Sequence, residues 1–364
     1  MKYCKRCVIP DTRLGIEFED GVCAPCLHAE ERKTINWEYR QQKLRELADK
    51  YRKDNGEYDC IIPGSGGKDT YFQTMVMKQL NMNPLIVKVR DSFTPTKTGE
   101  YNLYNMCDVF NVDLLQYNLN HSTCREMTKI SFEKFGSPNY PIDLAIYSVP
   151  LKIAHKFKIP LIIYGENIAY EYGGPDAKET YSAKDQIKND VVKPINTDFW
   201  KDNGITEQDL QPISYPSESV VNELEPIYLS YFYNWDGRKN YNISKTFGFR
   251  SLENEWKRQG FIENFDQIDS IAYLLHPLMK YPKFGHARAT DMACNWIRNN
   301  YITREEAIPL VKEHDHKLDK KIVDDFINFT GYTREQFYKI LDKHYNTNLF
   351  KKVDNKWKPR FDIK

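Results

Sequence analysis

The stretch Cys60-Ile61-Ile62-Pro63-Gly64-Ser65-Gly66-Gly67-Lys68-Asp69-Thr70 constrains this chain more than any other. Apolar residues run into a glycine-rich loop, and a lysine and an aspartate open what reads as a helix. A strand, a tight loop and a helix N-terminus in that order gather backbone N–H groups into a nest suited to an anionic phosphate. Phe72, Met75, Val76 and Leu80 recur at helical spacing and give the following helix one apolar stripe. Short apolar runs at Tyr58–Ile62, Leu85–Val89, Val112–Tyr117 and Pro160–Tyr164 alternate with helix-length segments. Repeated strand–helix–strand units of this kind predict a doubly wound parallel α/β sheet with helices on both faces. Ligands of such sheets bind at the carboxyl ends of the strands, where this loop must lie.

The loop is not a Walker phosphate loop. The spacing G-x4-G-K-[ST] would place glycine at Ile62 and Ser or Thr at Asp69, and both positions fail. Gly64, Ser65, Gly66, Gly67 and Thr70 are the expected phosphate cradle, with Lys68 as a compact positive charge. Asp69 would repel a phosphate unless a divalent cation lay between them, so it is the expected Mg²⁺ ligand.

Lys plus Arg number 52 and Asp plus Glu 51, which lacks the basic excess expected of a protein that grips a long nucleic acid. The 364 residues, 41% hydrophobic and 28% charged, have the composition of a globular protein. No apolar run reaches the ~18 residues of a membrane span, and no apolar segment of a secretory signal follows Met1-Lys2-Tyr3-Cys4. A cytoplasmic location is the expectation.

Cys4-x2-Cys7 and Cys23-x2-Cys26 form two knuckles at the spacing of a tetrahedral thiolate site, which predicts a closed, structural Zn²⁺ in a zinc ribbon. An iron–sulfur cluster is the other metal such a set accepts, and disulfides are disfavoured in a reducing compartment. Cys60, Cys107, Cys124 and Cys294 stand alone and read as buried small hydrophobes. Asn36 to Lys53 reads as a charged amphipathic helix. After residue 170, Gly173-Gly174-Pro175, Lys193-Pro194, Tyr215-Pro216 and Glu225-Pro226 read as punctuation, and later segments such as Arg304–His314 and Asp319–Phe329 read as helices. Three parts are expected: a zinc-ribbon module over 1–32, an α/β core over 33–195, and a mainly helical region for substrate or partner over 196–364.

The string Ser65-Gly66-Gly67-Lys68-Asp69-Thr70 after a strand resembles the PP-loop of the ATP pyrophosphatases, whose fold is a HUP-like doubly wound sheet and which cleave ATP between the α and β phosphates. Together with the knuckles, TKTGEYNLYN, YGENIAYEYGG, LSYFYNWDGRKNY and KFGHARATDMACNWIRNNYITREEAIPLV, the chain resembles the N-acetyl sugar amidotransferases of bacterial surface-glycan synthesis, including lipopolysaccharide O-antigen. It departs at Ala287, where relatives more often carry glycine. The resemblance implies adenylation of an acetamido oxygen of a sugar acid, either a nucleotide-linked diacetamido uronic acid or a nonulosonic acid of the pseudaminic or legionaminic kind. Ammonia then replaces the oxygen to give an acetamidino group, and AMP and pyrophosphate are released. It further implies that the end of the second strand, Val87 to Arg90 and Val89 in particular, lies near the nucleotide, together with Gly165 and Glu166. Lys68, Asp69, Glu166, Lys283, Arg288 and Asp291 are the expected catalytic groups, beside Lys280. Glu171, Tyr172, Trp235 and His286 are the expected sugar contacts, with Asn167 and Asp236 nearby.

Two rival readings are a tRNA-modifying PP-loop enzyme of thiolating or lysidine-forming type and a zinc-ribbon adaptor with a degenerate loop. The thiolating form of the first needs a reactive cysteine, for which Cys60 and Cys124 are candidates without a supporting neighbourhood, and the near-neutral charge speaks against a tRNA footprint; the intact loop speaks against the second. No cysteine sits on a Gly-flanked elbow and residue 2 is Lys2, so the chain carries no recognisable glutaminase. A separate partner, resembling the glutaminase and cyclase pair of histidine biosynthesis, is expected to deliver ammonia.

Overall fold

The computed structural model describes residues 1–53, 55–174, 179–186 and 196–363. The cysteine knuckles are joined by an antiparallel hairpin, β1 (Phe18–Glu19) and β2 (Val22–Cys23), and the second knuckle runs into α1 (Ala24–Glu31). In α2 (Trp37–Tyr51) the Asn36 side chain accepts from the Tyr39 amide at 3.0 Å, so the expected helix begins at its cap.

The core then alternates: β3 (Cys60–Pro63), α3 (Lys68–Gln79), β4 (Pro84–Arg90), α4 (Lys97–Phe110), β5 (Asp113–Asn118), α5 (His121–Phe135), α6 (Tyr140–Phe157) and β6 (Leu161–Tyr164). Short helices α7 (Ile168–Tyr172), α8 (Thr197–Asp202), α9 (Glu207–Leu210) and α10 (Glu218–Asn222) precede β7 (Glu225–Tyr228). The strand order is β5-β4-β3-β6-β7, and every pairing is parallel. The chain leaves β3 toward β5 on one side and returns through β6 to β7 on the other. That reversal opens a crevice at the carboxyl ends of β3 and β6.

Neighbouring residues of β3 serve opposite faces, as the two-residue period of a strand requires. Ile62 packs with Tyr71, Val76, Ile86 and Met106 on one face, whereas Ile61 packs with Val87, Leu144, Val149 and Ile162 on the other. Both faces are therefore covered, and the fold is a doubly wound α/β sheet.

Glu225-Pro226, which reads as loop punctuation in the sequence, instead begins β7. Proline is tolerated there because β7 is the edge of the five-stranded sheet and its outer side meets, among the described residues, only an isolated bridge to Ser182, where the Pro226 carbonyl accepts from the Ala183 amide at 2.8 Å. Pro175, Lys193, Pro194 and the expected core boundary at 195 lie outside the described residues.

The remaining chain is mainly helical: α11 (Gly237–Thr246), α12 (Leu275–Leu278), α13 (Lys280–Phe284), α14 (Arg288–Arg298), α15 (Arg304–His314), α16 (Lys320–Thr330) and α17 (Arg334–Lys343). An antiparallel hairpin, β8 (Phe350–Val353) and β9 (Lys356–Pro359), closes it. Asp319 caps α16 by accepting from the Lys321 amide at 2.8 Å. The region is attached to the core along two seams. α11 packs on α3, and Phe326 and Phe337 pack against Phe132 of α5. The cysteine module sits against α7 through α1 and against Ala293, Cys294 and Val311 of α14 and α15. No helix among the described residues is long and apolar enough to cross a membrane.

Candidate active site

Lys68 is the first residue of α3, and Gly67 before it is extended (φ −72°, ψ 169°) with no side-chain cap. The first N–H groups of the helix are thus left for a ligand. Glycine is required at two loop positions. Gly66 has φ +85° and a Cβ there would come 2.5 Å from the Leu103 Cα, while at Gly64 a Cβ would come 2.3 Å from the Thr70 side chain. Lys88 of β4 donates to the Ser65 carbonyl at 3.4 Å and steadies the turn from below.

The loop opens into a cavity of about 1080 Å³. Its walls are residues 64–70, Val89, Gly165, Glu166, Glu171, Tyr172, Trp235, Lys280, Lys283, His286, Arg288 and Asp291. Residues from five separate stretches of sequence meet in one cavity. Asn167 and Asp236 do other work. Asn167 caps α7 through the Tyr170 amide at 3.3 Å, and Asp236 caps α11 through the Arg238 amide at 2.9 Å. Trp235 is largely buried, its ring edge-on to Phe72 at 5.7 Å.

At the phosphate loop, Lys68 Nζ donates to Asp69 Oδ2 at 2.5 Å and to Asp266 Oδ1 at 2.9 Å. The other Asp266 oxygen accepts from Arg288 Nη2, and Asp69 Oδ1 accepts from Asn240 at 2.8 Å. Burial alone would lower the Lys68 pKa, but Asp266 and Asp69 more than offset it and hold the ammonium charged well above its usual range. Burial would likewise raise Asp266, yet Lys68 and Arg288 carry it well below the ordinary carboxylate range. Glu166 behaves oppositely. Burial, and then the Asp69 charge, push it up to about 7 against the opposing pull of Lys68. A carboxylate at that value is a base poised near neutral pH.

A second cluster surrounds Asp291, which accepts from Lys280 at 2.7 Å and from Arg13 at 2.9 Å. Burial would raise Asp291, but Lys280 and Arg13 hold it well below the usual range. Arg13 also donates to the Gly173 carbonyl at 3.4 Å and lies over the Tyr172 ring at 5.9 Å. His286 is 2% exposed, and neither ring nitrogen has a hydrogen-bond partner among the described residues. Burial drives its pKa down to about 3, so the imidazole is neutral and offers one donor and one acceptor to the cavity. Ala287 sits in extended backbone (φ −139°), so no left-handed conformation demands glycine there. The Glu171 carboxylate is committed to Arg32 at 2.5 Å, which ties α7 to the end of the cysteine module.

Arg13 and Asp266 escape sequence reasoning. Arg13 lies in the loop between the knuckles, and Asp266 in a turn-rich segment, Asn264-Phe265-Asp266-Gln267, with no periodicity and no motif. Only the fold brings them to the cavity.

The four knuckle cysteines fit a metal. Their sulfurs lie within 4.8 Å of one another, all four are buried, and none is in a disulfide. The amides of Arg6 and Cys7 point at Cys4 Sγ at 3.4 Å and that of Cys23 at 3.3 Å, the N–H···S pattern that favours thiolate. This donor set suits Zn²⁺. Asp69 supplies hard oxygen donors beside the phosphate loop, a fit for Mg²⁺ held partly by substrate phosphates. Burial pushes the thiols of Cys107 and Cys124 up to about 11 and raises Cys60 further, so these three are thiols at neutral pH. They are poor nucleophiles for sulfur transfer or glutamine hydrolysis.

Residues 255–362 match the family model described as "LPS biosynthesis protein WbpG-like, C-terminal domain". That segment carries Asp266, Lys280, Lys283, His286, Arg288 and Asp291. The uncharacterized protein MJ1599 of Methanocaldococcus jannaschii is 29% identical over 122 residues, 33% of this chain and 43% of that protein, so the match spans less than half of the relative's length. Among solved structures, NMN synthetase from Francisella tularensis aligns over 83% of this chain and 96% of its own at 10% identity, with a TM-score of 0.30.

The position of Arg13 makes the cysteine module part of the cavity wall. The purified protein is expected to hold one Zn²⁺ per chain, and Cys23→Ser to lower metal content and leave the first 30 or so residues open to limited proteolysis. Absence of zinc from chelator-free protein contradicts the assignment.

Proposed function

We propose that this chain is an AMP-forming, ATP-dependent amidotransferase that converts the acetamido group of a bacterial surface-glycan sugar acid into an acetamidino group. One observation carries the reading. A phosphate loop of non-Walker spacing opens into the same cavity as a near-neutral-pKa carboxylate and a cationic cluster, which supports a reading in which a nucleotide and a second, anionic molecule react there. The match of residues 255–362 to a lipopolysaccharide-biosynthesis family supports the surface-glycan setting.

The chemistry follows from the weakness of an amide as an electrophile. Its oxygen attacks the α-phosphorus of ATP, an O–P bond forms, and the bond to pyrophosphate breaks. The oxygen has then become part of a good leaving group, AMP. Ammonia adds to the former carbonyl carbon, gives up a proton, and expels AMP as the C–O bond breaks. Mg²⁺, when bound, neutralises phosphate charge. Lys68 exchanges its carboxylate partners for phosphate oxygens and stabilises the charge that builds on departing pyrophosphate, and Arg288 shares the load from the far side of Asp266. Glu166, ionised above about pH 7, takes the proton from the attacking nitrogen. The neutral His286 pairs its donor and acceptor with the amide's own carbonyl and N–H, which orients the group without adding charge. The cavity has no reactive thiol among the described residues, so ammonia is assigned to a partner glutaminase docked over the cavity mouth.

With ATP, Mg²⁺, ammonium and acetamido sugar acids, mass spectrometry is expected to find oxygen replaced by NH, together with AMP and pyrophosphate. ADP and orthophosphate as primary products overturn the adenylation. Lys68→Ala is expected to slow turnover by about 10²-fold or more. Free ammonium at raised pH serves the single chain and glutamine does not, whereas glutamine-dependent turnover by the rigorously purified chain removes the need for a partner.

The role of Glu166 has its own signature. At constant free ammonia, turnover is expected to fall as pH drops through about 7, because the base form is lost by protonation. Glu166→Gln should lower the rate and flatten that limb. An unchanged limb in the variant assigns the base elsewhere.

A further inference from the structure

Among the described residues, four of the five Lys and Arg side chains on the cavity wall are committed to carboxylates: Lys68 and Arg288 to Asp266, Lys280 and Arg13 to Asp291. Lys283 is the exception. Its ammonium donates to the main-chain carbonyls of Gly136 at 3.0 Å and Phe135 at 3.4 Å, and it has no ion pair among the described residues. An ammonium has three N–H donors, so one is left over. Lys283 stands on α13 against the C-terminal end of α5, a different wall from the phosphate loop on α3.

We propose that Lys283 receives the carboxylate of the sugar acid and so selects an acidic over a neutral acetamido sugar. The inference rests on the substrate class proposed above and gives Lys283 a recognition role in place of the catalytic one that the resemblance implies. Its electrostatics agree. Burial, and then neighbouring Lys280, drive its pKa down to about 8, with no carboxylate to offset them. A cation held at a disadvantage in the free protein gains most from an arriving anion. The two carbonyls fix the direction of the remaining N–H, so the contact is aimed as well as charged. Lys280 cannot substitute, because Asp291 already holds it.

The test compares binding of N-acetylglucosaminuronic acid and N-acetylglucosamine, which differ at C6 only, by calorimetry without ATP. The wild-type chain is expected to prefer the acid by about tenfold or more, the scale of one charge-assisted hydrogen bond. Lys283→Met should abolish the preference, and Lys283→Arg, which keeps the charge if Met disturbs folding, should retain part of it. No preference in the wild type, including no binding of either sugar, overturns the proposal, as does full preference in Lys283→Met. The outcome is separable from the proposed reaction. A chain that discriminates the acid but never forms AMP sinks the reaction alone, and one that forms AMP without discriminating sinks only the role of Lys283.

Discussion

The carboxylate of Asp266 holds this site together. It lies between Lys68 of the core and Arg288 of the C-terminal helices, and both cations are almost wholly buried. Two buried cations repel each other and pay a desolvation cost of several kcal/mol apiece, which only a well-placed anion offsets. With Asp69 on the far side of Lys68, the array of two cations and two carboxylates is close to neutral. A phosphate bound at the loop, as proposed, would disturb that balance, and Lys68 would exchange a carboxylate for a phosphate oxygen. The same contact joins the α/β core to the region that resembles a lipopolysaccharide-biosynthesis domain, so the glycine-rich loop and the cationic wall are positioned by one side chain.

The cysteine module extends this logic. Its apolar residues are too sparse to form an independent core, and a metal held by its four cysteines would supply the missing cohesion. Arg304 donates to the carbonyls of Cys4 at 3.4 Å and Cys7 at 3.2 Å, and Arg298 reaches the Glu171 carbonyl at 3.3 Å. Helices α14 and α15 thus grip the knuckles from one side while the loop between the knuckles sends Arg13 to Asp291. The module that reads in sequence as a separate zinc ribbon also forms part of the cavity wall, through Arg13 and Leu14.

How far the sequence discloses this depends on whether a feature is local. The strands at Leu85–Val89 and Pro160–Tyr164 and the helix at Arg304–His314 are legible because apolar period and caps are written in neighbouring residues. The loop at Gly64–Thr70 is legible for the same reason, since its glycines answer a close approach and a positive φ within a few positions. β7 is not, because Pro226 signals a break and only its edge position in the sheet permits a strand. Asp266 and Arg13 are not legible either, since each gains its role from a partner 198 and 278 positions away. The residues of α13 and α14 lie between these cases: their types suggest an anion site, but which cations are already neutralised, and that Lys283 is not, appears only in three dimensions.

The central claim is that the acetamido oxygen becomes bonded to the α-phosphorus of ATP. Its most direct test uses an acetamido sugar acid labelled with oxygen-18 in the acetamido carbonyl, incubated with the protein, ATP, Mg²⁺ and ammonium. The account predicts that the label appears in the phosphate of AMP, one atom for each acetamidino product. Label released to water, or found in orthophosphate or pyrophosphate, would contradict it.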